Sequence, residues 1–588
     1  MKERINCNSI LKSIVKIQFL LFLFFVCSCN SISKISSEDV LESEVPVFSK
    51  EGGFYSDYFG LSISSKFGNT IYYTLDGSDP RTSKTALKYK TEIPIFNNTN
   101  NINNHSSLTN ITLFDYRAPG FKVEKGIVVR AVIKDRKYGF GKVVSNSYFI
   151  SKKAPYYSQM KVISMLTDSD YLFDEENGIY MVGTKYYEWL KKNPNKNYNP
   201  GDVLNVTNYN SDGKENEIPV SIQIFENGKS VLCIDVGARI AGNWSRANPQ
   251  KSFRFFARKE YGSKNLNYKF FEDLKAADGS EIISFDKITL RNGGNDYQEL
   301  RFRDALVHDL VSDSACDIMA AEPCILFING EFWGFYMIRE KTDGEYIKSH
   351  YGIKKKDVAV IKNSEVEEGE KSDLDEFAEF SRWAASAPMK IGENYKKFCD
   401  SMDVQSFMDY MAIQTYINNF DWASSGFSNN WQVWHSKTVN PKINKADGKW
   451  RFILYDTEFS SGIYTMKETS YEYDLLNRLN VTTEHFNFPR ILKNLCKNEE
   501  FLNRFYKNYL RIIEEYFAPN VVCKKIDEYA KEYKTAICDT YKRFGIEWAS
   551  HNFDGEVEDL KLFYRNRPEY AKRYIDTFYK NMSKKNKK

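Results

Sequence analysis

The segment from Asp403 to Gly462 constrains the fold most, because it alternates helix and strand periods and sets acids where they end. After Asp403 the apolar residues Val404, Phe407, Met408, Met411 and Ala412 recur at helical spacing, and the turn-forming pair Asn418-Asn419 stops the helix. Asp421 follows directly. The runs Asn430-Trp431-Gln432-Val433-Trp434 and Phe452-Ile453-Leu454-Tyr455 read as strands, and the second delivers Asp456, with Glu458 two residues on. An acid in a loop after a helix, an Asn nearby and an acid after a buried strand form the set that phosphoryl transfer uses. One carboxylate positions the attacking hydroxyl, while the Asn and the other carboxylate hold metal ions that neutralise the phosphates. Taken singly, each residue reads more simply as a turn cap; the ordered set carries the inference.

With 588 residues the chain has room for two or three domains. A hydrophobic content of 42% and a charged content of 27% describe a globular protein. The net charge of +4 comes from 82 basic and 78 acidic residues, which gives no argument for nucleic acid as a partner. The lysine-rich end from Met582 to Lys588 reads as a solvated tail. At the other end Lys2, Arg4, Lys12 and Lys16 precede the apolar run Phe19 to Val26, too short to span a bilayer, so residues 1–28 are expected to be a signal peptide. Val26-Cys27-Ser28-Cys29 resembles a bacterial lipoprotein box with Cys29 as the lipidated residue. Acyl chains would then tether the mature protein to a membrane of the cell envelope, facing the periplasm or the cell surface; simple secretion after nearby cleavage is the competing reading. Cys233, Cys316, Cys324, Cys399, Cys496, Cys523 and Cys538 are irregularly spaced and include no C-x-x-C pair, which argues against zinc and against a full disulfide framework.

Residues 29–45, rich in Ser and Glu, read as a linker. Residues 46–152 show short alternating segments between Gly, Asn and Asp clusters, the pattern of a small immunoglobulin-like β-sandwich. Within them Ile71 to Pro80 runs a strand into an Asp-Gly turn, and this decapeptide resembles the C-terminal module of chitobiase-type hexosaminidases, a spacer or adhesion element in many secreted bacterial proteins. The Asn-rich loop Asn97 to Asn110 is expected to be disordered.

Further on, Ser230 to Val236 leads through a loop with Gly237 and Gly242 into Gln250-Lys251-Ser252-Phe253-Arg254-Phe255-Phe256. Strand, glycine-bearing loop and lysine-bearing strand is the order in which kinases place a phosphate cover and a phosphate-binding lysine. Period two sets Lys251 on the face of Phe253 and Phe255, where a buried ammonium is expected to need an anionic partner. Glu299 and Asp304 are the candidates for it, while Glu299 also reads as part of a capping box opening at Asp296; Lys251 reads equally well as a strand lysine that snorkels. Cys324 to Ile328, the turn Asn329-Gly330 and Phe332 to Ile338 form the clearest hairpin. It ends at Arg339-Glu340-Lys341-Thr342-Asp343, where a nucleotide cleft would open.

Together the loop from Arg239 to Ser245 with Lys251, the segment Arg291 to Arg303, the Asn329-Gly330-Glu331 hairpin with Glu340, Asn419 to Asn430 and Leu454 to Gly462 resemble the spore-coat protein H (CotH-type) kinase family. The resemblance implies an α+β chain: an atypical two-lobed protein-kinase-like domain over residues 158–468, preceded by the sandwich and followed by helices over 469–588. The helical part is read from the long periodic segments Ile491 to Tyr516, Val521 to Phe544 and Val557 to Asn581, whose many Tyr and Phe on apolar faces are expected to pack against the catalytic lobe. The resemblance implies Asp421 as catalytic acid/base, Lys251, Arg239 and Glu340 at the nucleotide, and Asp456, Glu458, Asn429 and Asn430 at the metal. ATP and Mg²⁺ or Mn²⁺ would be the cofactors, and a protein of the cell envelope or exterior the substrate. Where the family shows a Trp-Asp-x-Asp ending, this chain has Tyr455-Asp456-Thr457-Glu458, and His435 to Gly448 is an insertion. Two other classes stay open: a catalytically inactive surface-binding protein on the same scaffold, and a glycoside hydrolase using paired acids such as Glu340 and Asp456.

Overall fold

The computed structural model of the chain describes residues 44–151, 153–194, 199–423, 429–479 and 486–587. Cys29, the signal peptide and nearly all of the linker lie outside them. Two compact units are present, one comprising the chain up to Glu51 with Phe59–Pro94 and Val129–Asn146, the other Gly52–Tyr58, Ile95–Val128 and Ser147–Lys588.

In the first unit Thr70–Thr74 pairs antiparallel with Leu87–Lys88 and with Ile127–Asp135. Val129, Ala131, Val132 and Ile133 fill its interior, as expected for a β-branched strand buried on both faces. The expected Asp-Gly turn is present: Gly77 takes φ 84°, and Asp76 Oδ1 accepts from the Ser78 N–H at 3.1 Å while Oδ2 accepts from Thr85 Oγ1 at 2.6 Å.

The Asn-rich loop departs from expectation. Residues 95–128 belong to the second unit, and the loop is pinned there by the Glu331 carboxylate, which accepts from the Asn104 N–H at 2.6 Å and the Ser106 N–H at 2.8 Å. Polar composition predicted a free loop; a single buried carboxylate whose acceptors are met by backbone N–H groups overrides it.

The second unit is built on β1 (Lys161–Leu166), β2 (Ile218–Glu226), β3 (Lys229–Ala241), β4 (Ser252–Phe256), β5 (Lys287–Arg291), β6 (Ala321–Ile328) and β7 (Glu331–Arg339). Their order is β2-β1-β6-β7-β5-β4-β3, and because β2 also pairs with β3 the ring closes. Only β1 and β6 run parallel. Alternate residues point inward, so Ile222, Val236, Phe253, Phe255, Leu290, Leu326 and Ile338 share one core. The β6–β7 hairpin turns as expected at Asn329 (φ 46°) and Gly330 (φ 85°). Gly334 is required by packing as well as by φ, since a Cβ there would come within 2.7 Å of Thr540.

A second sheet follows, β8 (Val358–Lys362), β9 (Glu365–Glu368), β10 (Gln432–Ser436) and β11 (Arg451–Ile453), in the order β9-β8-β10-β11. Helix α1 (Arg303–Leu310) lies between β5 and β6 in sequence, and α2 (Val404–Tyr416) is the predicted helix, capped by Asp403, whose carboxylate accepts from the Gln405 and Ser406 N–H groups at 3.1 Å. The capping box expected at Asp296 is instead a 3₁₀ turn over Gly294–Gln298, and α1 starts only at Arg303. The expected C-terminal helices are present as α3 (Phe488–Leu495), α4 (Glu499–Arg511), α5 (Pro519–Arg543) and α6 (Glu547–Asn586). Their aromatic stripes are buried: Phe505, Tyr509, Phe553, Tyr564 and Phe578 join the core beneath α2. Among the described residues no helix is long and apolar enough to cross a membrane.

Candidate functional site

The C-terminal end of α2 and the end of β11 bring the acids together. Asn418 (φ 52°) breaks the helix, Asp421 sits in a short kinked turn, and Asp456 (φ 52°) ends the strand segment. Left-handed backbone at non-glycine residues is costly and gathers where function holds it in place. Asn430, itself at φ 51°, donates from Nδ2 to Asp421 Oδ2 at 2.9 Å and to the Asp421 carbonyl at 3.1 Å. Burial, aided by the charge of Asp456, pushes the Asp421 carboxyl up to about 6 against hydrogen bonds from Asn430 and Asn429.

Arg291, at the end of β5, reaches across to the other acids. Its Nη2 lies 2.7 Å from Asp456 Oδ1 and also binds Glu458. Glu458 Oε1 accepts from the Asn295 N–H at 3.1 Å, and Gly294 leaves the room, because a Cβ there would overlap that oxygen. Burial pushes the Glu458 carboxyl well up, with the neighbouring Asp456 adding to it and Arg291 opposing.

This loop is held from beneath. Asp304 Oδ1 accepts from both the Thr457 N–H and its hydroxyl at 2.9 Å, while Oδ2 takes Arg339 Nη1 at 2.5 Å. Burial opposes the charge on Asp304, yet the Arg339 guanidinium holds its carboxyl well below the usual range. Asn419 donates to the Asp456 carbonyl at 3.3 Å, and the Phe420 N–H to the Phe459 carbonyl at 3.0 Å. Asp304 is therefore a positioning residue for the 456–458 turn rather than a partner of Lys251.

The structure corrects the expectation for Lys251. Its ammonium is fully enclosed, donates to the carbonyls of Arg246 at 2.7 Å and Asn248 at 3.0 Å, and lies 3.9 Å over the Tyr209 ring. Carbonyl dipoles and an aromatic face replace the anticipated carboxylate, and burial, with Arg246 nearby, pulls the ammonium well below its ordinary value. Glu299 instead pairs with Arg303 at 2.6 Å. Glu340 accepts from the Ala320 N–H at 3.0 Å and meets His350 Nε2 at 2.8 Å, so both its oxygens have partners within the protein. Arg239 is compensated by Glu217 at 3.4 Å and stacks on Phe256 at 4.1 Å.

Besides Arg239, further basic groups stand on the strands that lead to the acids. Strand register places Arg239, Arg254, Thr289 and Arg339 in one row across β3, β4, β5 and β7. Arg254 donates to Thr289 Oγ1 at 3.1 Å, two residues before Arg291. Lys341 pairs with Glu367 at 2.5 Å, and burial, with Lys362 and Arg254 close by, pulls it down to about 8 despite that partner. Lys362 caps the Tyr455 ring at 3.9 Å, next to Asp456. Period two on Arg254 was the available signal, since it faces away from the core that Phe253 and Phe255 fill.

The family model described as CotH kinase protein matches residues 238–571, more than half of the chain. The chain belongs to the CotH kinase protein family. The matched region runs from β3 through most of α6, so the CotH region includes both acids, the basic row and the C-terminal helices. An Fn3 associated model matches residues 61–148, the β-rich segment ahead of it. No curated protein matches the chain.

A CotH kinase implies a divalent cation, and the donor set suits one. Asp456, Glu458 and the amides of Asn429 and Asn430 are oxygen donors, the preference of Mg²⁺ and Mn²⁺. Two carboxylates, Asp456 and Glu458, share the guanidinium of Arg291, and burial first, with the charge of Asp456 adding to it, raises the Asp421 and Glu458 carboxyls. Among the described residues no three His, Cys, Asp or Glu side chains form a ready cage. Magnesium, however, is commonly held by one or two carboxylates with phosphate and water completing its shell.

Proposed function

We propose that this CotH kinase protein is an exported, lipid-anchored atypical protein kinase that moves the γ-phosphate of ATP to protein hydroxyls, using a two-lobed kinase-like domain. The observation that carries the reading is the juxtaposition of Asp421, its carboxyl pushed up to about 6, with Asp456 beside a basic sheet face. Asp421 would accept the hydrogen bond of the attacking hydroxyl and take its proton. Arg254, Lys341 and Lys362 would meet the phosphates, the part first expected of Lys251. Asp456, with Glu458, Asn429 and Asn430, would hold Mg²⁺ or Mn²⁺, which supplies charge neutralisation when bound. A second reading, a nucleotide-free scaffold, draws on Arg291, which already neutralises Asp456 and Glu458.

Thermal shift separates the two, because a ligand stabilises only the state that binds it. ATP with Mg²⁺ or Mn²⁺ is expected to raise the Tm only when both are present. Lys341→Met should shrink that rise and Lys251→Met should leave it unchanged, although losing two buried hydrogen bonds at Lys251 costs about 1–3 kcal/mol of stability. Since Lys341 is cationic below about 8 and neutral above, the rise should also fall as pH increases through that value. No rise under any condition supports the scaffold.

The anchor rests on the N-terminal sequence. Cys29→Ser is expected to move the protein from the membrane fraction to soluble or uncleaved material, with Cys27→Ser without effect. A Cys29→Ser protein that is processed normally and stays membrane-bound would refute the anchor.

A further inference from the structure

Arg291 meets the two acids of the 456–458 turn through a single nitrogen. An arginine commonly grips a carboxylate with two parallel N–H bonds, as Arg258 does on Glu217 at 2.6 and 2.9 Å. Arg291 instead spends one nitrogen on two carboxylates: Nη2 donates to Asp456 Oδ1 at 2.7 Å and also to Glu458 Oε2. Its Nε has no hydrogen-bond partner. The guanidinium thus serves the pair as a point cation would, which is the part a small dication can take over.

The two carboxylates are held in place by other groups as well. Thr457, between them, is fixed by Asp304 through its N–H and its hydroxyl, each at 2.9 Å. Glu458 Oε1 accepts from the Asn295 N–H at 3.1 Å, and the Asp456 carbonyl accepts from Asn419 at 3.3 Å. Gly294 keeps the space open, since a Cβ there would come within 1.9 Å of Glu458 Oε1 and 3.0 Å of Arg291 Nη2. The Glu458 side chain is enclosed, whereas those of Arg291 and Asp456 are 21% and 23% exposed, so solvent reaches their contact. The guanidinium can therefore leave by side-chain rotation while the acids keep their backbone supports. Period two puts Arg291 on the strand face of Thr289, whose hydroxyl accepts from Arg254 at 3.1 Å. A guanidinium released from the acids stays on the basic face that was assigned to the phosphates.

We infer that Arg291 is the resident counter-ion of the divalent-cation seat. It holds Asp456 and Glu458 while nucleotide is absent, yields them when metal arrives with nucleotide, and then pairs with the phosphates. The inference deepens the kinase reading and rests on it, because it takes Asp456 and Glu458 as ligands of the metal. Its consequence is coupling. Metal alone has to strip a cation of its partners, whereas nucleotide offers that cation a new anion, so each ligand strengthens the binding of the other.

The test is titration of the full chain with Mn²⁺ in the absence of nucleotide, read from the electron paramagnetic resonance of free Mn²⁺. Arg291→Met and Arg291→Gln should each bind Mn²⁺ at least about tenfold more tightly than the parent, because the metal no longer breaks a charge-assisted bond. Arg291→Lys, which keeps a point charge, should resemble the parent. Mn²⁺ alone should raise the Tm of Arg291→Met and leave that of the parent unchanged. With Mn²⁺ saturating, Arg291→Met should bind ATP about ten- to hundred-fold more weakly, the loss of a charge-assisted pair. The glutamine variant keeps an N–H donor for Asp456 and carries the test if methionine between two acids impairs folding. Parent-like Mn²⁺ affinity in the folded variants overturns the inference, and it leaves the kinase reading standing if Mn²⁺ with ATP still stabilises the parent. An unchanged ATP affinity overturns the transfer of Arg291 to the phosphates. Absence of Mn²⁺ binding in the parent and every variant, with or without ATP, removes the metal seat and the kinase reading together.

Discussion

Asp421→Asn is expected to remove most phosphate transfer, by about 10² to 10⁴-fold, the usual contribution of a general acid or base, while nucleotide affinity stays near that of the parent. The asymmetry follows from where Asp421 stands. Its carboxylate is bound by Asn430 with Asp456 nearby, and among the described residues no group of the basic row is its partner. The replacement amide can keep a hydrogen bond with Asn430 but cannot take a proton. A group that acts only as the hydroxyl attacks changes turnover without changing ground-state binding. The measurement is single-turnover transfer beside calorimetric ATP affinity, on one preparation. Equal loss of both would make Asp421 a binding residue.

Asp456→Asn is expected to behave differently, weakening metal-dependent nucleotide binding by at least about tenfold and transfer by more. Asparagine is among the residues that tolerate the left-handed backbone that Asp456 adopts, so the turn should survive. Arg291 retains Glu458 as a partner, and Asp304 still holds Thr457 through two hydrogen bonds. The loss would therefore report the missing carboxylate and not a collapsed loop. Titrating Mg²⁺ at fixed ATP reads this directly: the variant should need far more metal for half-maximal binding. If parent and variant respond to metal alike, Asp456 is a structural partner of Arg291 and nothing more.

The elements around these acids were legible because local signals there agree with the tertiary outcome. The helix read after Asp403 is α2, Asn418 and Asn430 occupy the left-handed positions that asparagine tolerates, and the Asn329-Gly330 hairpin closes as read. Lys251 shows where the reading stopped. Periodicity correctly turned it inward, but its partners are the carbonyls of a local turn, Arg246 and Asn248, and the rings that enclose it, Tyr180 and Tyr209, come from chain segments far away. Arg291 was hidden for the same reason: its role comes from Asp456 and Glu458, more than 160 residues distant. The closed ring of strands was equally invisible, since it needs β2 to pair on both edges and strand periodicity carries no record of partners. The Asn-rich loop failed in the opposite direction. Its composition is that of a free segment, and its order comes from one carboxylate, Glu331, on a distant hairpin.

The central claim is that the Asp421–Asp456 constellation transfers phosphate. The most direct measurement is incorporation of radiolabel from γ-labelled ATP, with Mg²⁺ or Mn²⁺, into a generic serine-rich acceptor protein and into the chain itself, comparing the parent with Asp421→Asn. Metal-dependent label is expected with the parent and at least about a hundredfold less with the variant. A folded parent that incorporates no label, or a variant that labels as well as the parent, would contradict it.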